Sequence, residues 1–174
     1  MNTNTILTGK ADRQDAPTPP FGQLWSIWQG LHTPLEALLN ALQPLAALCA
    51  RLYVAQVFFL SGLTKIRDWS VTLALFQDEY KVPLLPPELA AWAGTAGELA
   101  LPVLLVLGVL GRVPALGLFG VNLAAVLSLS EIAPAALQQH LTWGVLLAAL
   151  ALYGSGRWTL ESKLGKPGGL PGAV

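Results

Sequence analysis

Charge is what this sequence has least of. Ten Lys/Arg and ten Asp/Glu in 174 residues make 11%, with no net charge, against roughly 25% in an ordinary soluble domain. A sparse and balanced charge set generates no long-range field to gather nucleic acid or acidic substrates, which excludes a soluble nucleic-acid binder. Cysteine is almost missing as well. Cys49 stands alone, so there is no internal disulfide, and no CxxC or Cys/His cluster offers zinc, iron–sulfur or dithiol chemistry. Nor does the sequence contain a nucleophile–base–orienter trio, a Gly-rich phosphate loop or a paired-carboxylate motif, so no self-contained catalytic site is expected. The first fifteen residues, MNTNTILTGKADRQD, lack the apolar stretch and small-residue cleavage site of a signal peptide, and the first span is therefore expected to stay in the chain.

What is present is apolar: 53% of the residues are hydrophobic and the mean hydropathy is +0.55. Half of a chain this size cannot be hidden from water behind so few charges, so lipid is the expected solvent. The gaps between charges locate the spans, since a spanning helix needs about 20 mostly apolar residues. Ala37 to Thr64 contains only Arg51, Leu89 to Gly111 only Glu98, and Val113 to Ser130 and Ile132 to Gly156 no charge. The expected helices cover 45–64, 89–110, 113–130 and 138–155. With four spans both termini share a side. Arg112, Arg157, Lys163 and Lys166 against Lys65, Arg67 and Lys81 put that side in the cytoplasm by the positive-inside rule.

Two flanking elements are amphipathic. Phe21, Leu24, Trp25, Trp28, Leu31, Leu35, Leu38, Leu39 and Leu42 follow helical spacing with polar residues between them, which predicts an interfacial helix over 21–43. Thr33-Pro34-Leu35-Glu36 supplies a cap, a first-position proline and a glutamate three residues on, which predicts a fresh helix start there. Between the first two spans, Asp68 or Ser70 can cap a short helix carrying Trp69, Leu73, Phe76 and Tyr80 on one face. The prolines of VPLLPP end it, leaving a lid over the extracytoplasmic mouth. The expected organisation is therefore all-α, a polytopic four-transmembrane-helix bundle over 44–156, preceded by a disordered 1–20 and the interfacial helix and followed by a mostly disordered cytoplasmic tail over 157–174.

Arg51 and Glu98 are the costly residues, at about 2.5–3.5 kcal/mol each at the bilayer centre, so both should face a partner or a cavity. Arg51, Ala55, Phe58, Gly62 and Lys65 share one face of the first span, and Ala90, Gly94 and Glu98 form a small-residue row on the second. Helical rise places Arg51 and Glu98 about 10 Å apart in depth, with Lys65 approaching from the other side, which predicts an Arg51–Glu98–Lys65 line. Such a network either clamps the helices or marks a proton or headgroup site. His140, with Trp143, opens the fourth span on the side of Lys65, Trp69, Tyr80 and Trp92. Lys65, Trp69, Tyr80, Glu98, His140 and Trp143 could thus hydrogen-bond and stack on a quinone ring, or His140 could be a solvated residue in an aromatic belt. Asn122 reads as an interhelical hydrogen bond and Gly144-xxx-Ala148 as a packing signal. Haem is disfavoured, because His32 precedes the first span and lies on the opposite side from His140.

From Leu45 to Tyr153 the chain resembles the DoxX family of four-helix membrane proteins. The resemblance rests on Arg51, the FFLSGLTKI stretch with Gly62 and Lys65, the VPLLPPEL entry to the second span, Glu98 and the LGVLGR turn. It implies a bacterial inner-membrane protein whose relatives include a subunit of a thiosulfate:quinone oxidoreductase and partners of thiol and oxidative-stress enzymes. On this reading the chain is the membrane anchor and quinone-interacting subunit of a redox complex, with the bilayer and a soluble redox protein as partners and homo-oligomerisation left open. The alternatives are a scaffold that recruits soluble proteins without chemistry, and a small-solute carrier or channel. The second has against it four short spans with neither a broken helix pair nor an internal repeat.

Overall fold

The computed structural model describes residues 20–154, 156 and 158–160. Five helices follow in order: α1 (Pro20–Arg67), α2 (Trp69–Asp78), α3 (Pro87–Leu107), α4 (Val113–Ser128) and α5 (Pro134–Tyr153). The described chain is all-α and that of a multi-pass membrane protein. Three helices, His32–Arg67 within α1, α3 and α5, are long and apolar enough to cross a bilayer, with mean hydropathies of 1.6, 1.6 and 1.3. Helix α4 is equally apolar in character but has only 16 residues, short of the ~20 expected of a full crossing. Four long spans were expected; the structure has three, and a shorter fourth.

Prolines set the starts. Helices α3, α4 and α5 each carry proline in the first two positions, where the missing N–H is an orphan donor anyway and φ is already helical. That is why α3 and α5 begin at Pro87 and Pro134 rather than at the expected 89 and 138. The same rule misleads at Pro34. No helix starts at Thr33; α1 runs unbroken through Pro34 and Pro44. Propagating an existing helix past one lost hydrogen bond is easier than nucleating another beside it.

The chain divides into two compact units between Ala41 and Leu42. In the first, Trp28 lies over His32 with ring centroids 5.0 Å apart, and His32 Nδ1 is 3.3 Å from Glu36 Oε1 one turn on. Trp25, Trp28, Leu35, Leu38 and Leu39 are exposed. The expected loose segment over 1–20 falls, except for Pro20, outside the described residues, as do residues 157 and 161–174 of the expected tail.

In the second unit α2 packs on α3, α3 on α4 and α4 on α5. Lipid is as apolar as leucine, so close fit has to hold these helices together. Small residues supply it. A Cβ on Gly117 would lie 2.8 Å from Leu101, one on Gly97 3.2 Å from Val121, and one on Gly62 2.9 Å from Leu99. The core is built from Val54 and Phe58 of α1, Leu105 of α3, Ala115 and Leu118 of α4 and Leu147, Leu150 and Ala151 of α5. A second cluster joins Phe76 of α2 to Ala90 and Ala91 of α3, flanked by Trp69, Leu73 and Tyr80, so the apolar stripe read from the sequence is the face on which α2 docks. Asp68 is the α2 cap: its Oδ1 accepts from Val71 N–H at 3.1 Å and from Ser70 Oγ at 2.7 Å. Outward-facing Leu60, Trp92, Leu116, Leu127, Val145 and Leu152 are exposed, as bilayer contact requires.

Candidate functional site

Glu98 and Lys65 meet. Lys65 Nζ on the last turns of α1 is 2.6 Å from Glu98 Oε2 on α3 and 3.0 Å from Ser61 Oγ one turn back on its own helix. The pair is largely withdrawn from solvent, with side-chain exposures of 20% and 10%. Gly62 makes this approach possible, since a Cβ there would stand 3.1 Å from Glu98 Cβ as well as against Leu99. The Lys65 carbonyl accepts from Thr72 Oγ1 at 2.9 Å, so the turn that carries the ammonium is also held by α2. Pro102 lies inside α3 and has no N–H to offer the Glu98 carbonyl one turn earlier.

Arg51 is not part of this pair. Its guanidinium, 1% exposed, donates from Nε to Leu105 O at 3.0 Å, from Nη1 to Trp158 O at 2.9 Å and from Nη2 to Val106 O. Leu105 lies two helical turns beyond Glu98, about 10 Å along the axis. The expected line of three charges is therefore two separate devices. A guanidinium fork suits carbonyls that a helix end leaves unmatched, at the negative end of its dipole, and needs no carboxylate to do so. Gly108, with φ of 64°, ends α3 there, and a Cβ on it would collide with Thr159 at 2.5 Å. The segment after α5 is drawn against α3 at this end.

Between the ion pair and α2 lies a cavity of about 510 Å³, within the usual range for small-molecule sites. Its walls include Phe58, Ser61 and Lys65 of α1, Phe76 and Tyr80 of the α2 region, Gly94 and Glu98 of α3, Ala124 and Ser128 of α4, and His140 and Trp143 of α5. The core residues follow on each helix toward the Arg51 end, so the bundle is close-packed at one end and hollow at the other. Val82 and Leu85 of the proline segment also line the hollow, and Lys81 N–H donates to Ser128 O at 2.8 Å. That bond ties the segment after α2 to the C-terminal end of α4. Burial first, then the carboxylates of Glu79 and Glu98, push the Tyr80 phenol above its usual range, so it is a neutral hydroxyl at physiological pH.

Of the six residues expected to form a pocket, Lys65, Tyr80, Glu98, His140 and Trp143 line this cavity. Trp69 does not; it stacks on Trp92 with centroids 4.2 Å apart. His140 is held by α4: Nδ1 is 2.8 Å from Asn122 Oδ1, and Asn122 Nδ2 donates to His140 O at 3.0 Å. Gly144 leaves room for that amide, as a Cβ there would lie 3.3 Å from Asn122 Nδ2. Trp143 stands edge-on to His140 and to Phe58 and donates from Nε1 to Tyr53 Oη at 3.3 Å. Sequence reasoning overlooked Ser61, although its place four residues before Lys65 on one face was a usable signal. It found Asn122 without its partner, because nothing in the spacing of residues 122 and 140 marks them as neighbours. Among the described residues no group of three His, Cys, Asp or Glu side chains is placed to hold a metal ion.

No curated protein matches the chain, and no solved structure matches it. The DoxX family model matches residues 46–131. That stretch runs from the second half of α1 through α4, takes in Arg51, Gly62, Lys65, Glu98 and Asn122, and stops before α5 and His140. Residues 46–131 of this multi-pass chain are a DoxX family domain.

Proposed function

We propose that the protein is the membrane subunit of a redox or oxidative-stress-linked complex, and that its cavity receives a quinone or a comparable lipophilic ring. The observation that carries this reading is the composition of the cavity wall. A hollow of about 510 Å³ is lined mainly by apolar and aromatic side chains, and its few polar groups, among them Lys65–Glu98, Tyr80 and His140 beside the hydroxyls of Ser61 and Ser128, converge on it. Flat, lipid-soluble carriers with polar edges suit such a wall, with Phe58, Phe76 and Trp143 available for stacking. The chemistry of electron transfer would belong to a soluble partner, since these side chains provide binding and orientation only. In this reading the protein sits in a bacterial inner membrane with cytoplasmic termini, and the hollow end opens on the extracytoplasmic side.

Binding of a short-chain quinone to the purified protein in nanodiscs, read by quenching of tryptophan fluorescence, tests the proposal. Saturable quenching is expected, and Ala124→Phe, which fills the hollow, should abolish it while thermal stability is kept. Absence of saturable quenching in the unsubstituted protein, or quenching indifferent to Ala124→Phe, would sink the reading.

A further inference from the structure

The two hydrogen bonds between Asn122 and His140 fix a proton as well as a helix contact. The main-chain oxygen of His140 can only accept, so the Asn122 atom 3.0 Å from it is the amide nitrogen. The amide oxygen is thereby turned toward Nδ1, at 2.8 Å. An oxygen acceptor at that distance requires the proton to be on Nδ1. The ring is uncharged: no carboxylate among the described residues lies within ion-pair distance of it, Glu98 is engaged by Lys65, and an unpaired imidazolium in an apolar helix would be costly. A neutral imidazole has one N–H, so Nε2 keeps a bare lone pair. His140 lines the cavity.

Of the other polar groups on the wall, Ser128 gives its proton to Ala125 O at 2.9 Å and Ser61 accepts from Lys65, while the larger groups are two-handed. The Tyr80 hydroxyl donates or accepts, and the Lys65–Glu98 pair presents N–H donors and carboxylate lone pairs side by side. Nε2 of His140 only accepts. It rewards a ligand that brings an O–H and leaves a ligand oxygen that lacks one facing a lone pair.

We propose that the cavity selects aromatic ligands bearing a hydroxyl, rings of the phenol or hydroquinone type, over the same rings carrying an ether or carbonyl oxygen, because Asn122 locks His140 with Nε2 as an acceptor on the cavity wall. The inference rests on the ring-binding reading above and adds which redox state is held more tightly: the reduced carrier, with the oxidised ring still binding about tenfold more weakly.

The test separates the two. Full-length protein in nanodiscs is titrated with para-heptylphenol and with para-heptylanisole, which share a ring and tail and differ in the O–H, by tryptophan quenching. The phenol should bind about tenfold more tightly, the worth of one hydrogen bond made in place of a repulsive contact. His140→Phe should reduce the ratio to about one, by weakening the phenol, which loses its acceptor, and by relieving the anisole of the facing lone pair. Asn122→Leu, which keeps the imidazole but frees its tautomer, should lower the ratio as well. Anisole binding as tight as phenol binding in the unsubstituted protein, or a ratio unchanged in His140→Phe, overturns the selectivity and leaves ring binding standing. Failure of both probes to bind overturns ring binding and the selectivity with it. Anisole binding as tight as phenol binding in the unsubstituted protein overturns the selectivity even if neither variant folds, and the His140→Phe ratio assigns it to His140 rather than to Tyr80 or Glu98.

Discussion

Lys65 Nζ and Glu98 Oε2, 33 residues apart in sequence, lie 2.6 Å from each other across α1 and α3, with Gly62 beneath them where a methyl group would strike Leu99. The ion pair and the close helix contact are one arrangement: the glycine sets the distance at which the two side chains reach. Removing one partner should therefore cost far more than removing both. Glu98→Gln and Lys65→Met each leave the other group unmatched, and by soluble-protein precedent such a loss is about 3–5 kcal/mol. The double variant Lys65→Met/Glu98→Leu should recover most of it. Thermal unfolding in detergent reads the cycle, and additive losses in the double variant would show the pair to be uncoupled.

Gly62→Ala should destabilise by about 1–3 kcal/mol, the usual range for overpacking a fitted contact. Gly120→Ala is the control, since a Cβ there meets nothing within 4 Å. Equal melting shifts for the two would show that α1 yields freely.

Arg51→Lys should keep the charge and lose the fork, because an ammonium cannot span the Leu105, Val106 and Trp158 carbonyls together. The segment after α5 would then loosen. Chymotrypsin should cut after Trp158 several-fold faster in the variant than in the unsubstituted protein, under conditions that leave the bundle folded. Unchanged cleavage would mean that Trp158 is held without Arg51.

Asp68 caps α2, and the Ser70 hydroxyl followed by the Val71 amide holds its carboxyl below the usual carboxylate range. A lowered folded-state pKa means that the cap adds stability above the ordinary aspartate pKa and loses it as pH falls through the lowered value. Asp68→Asn caps without titrating. The melting difference between the two proteins should be constant near neutrality and shift in acid, below the ordinary aspartate range. A difference flat through that range would remove Asp68 from the acid response.

Leu84, in the proline segment, is fully exposed with φ of 67°, and is a site for an orientation probe. In a Cys49→Ala background, Leu84→Cys should react with a membrane-impermeant maleimide added to intact spheroplasts. Labelling only after lysis would reverse the proposed topology.

The sequence by itself determined the solvent and the elements. Eleven per cent charge and long uncharged runs suffice for an all-α membrane chain, because a backbone in lipid must satisfy its hydrogen bonds within each helix, and that is a local property. The runs that became α3 and α5 were legible, although the expected starts at 89 and 138 fall inside helices that begin at Pro87 and Pro134, and the α2 stripe was visible as periodicity. The same local rules failed at Thr33-Pro34, where whether α1 was already helical decided the outcome. Tertiary structure alone decided the partners. Depth along a helix placed Arg51 about 10 Å from Glu98, but periodicity cannot say whether a guanidinium reaches for a carboxylate or for the carbonyl end of α3. Asn122 and His140 bring their hydrogen bonds together only because α4 and α5 pack at Gly144, and a sequence records such a contact only as the absence of a side chain.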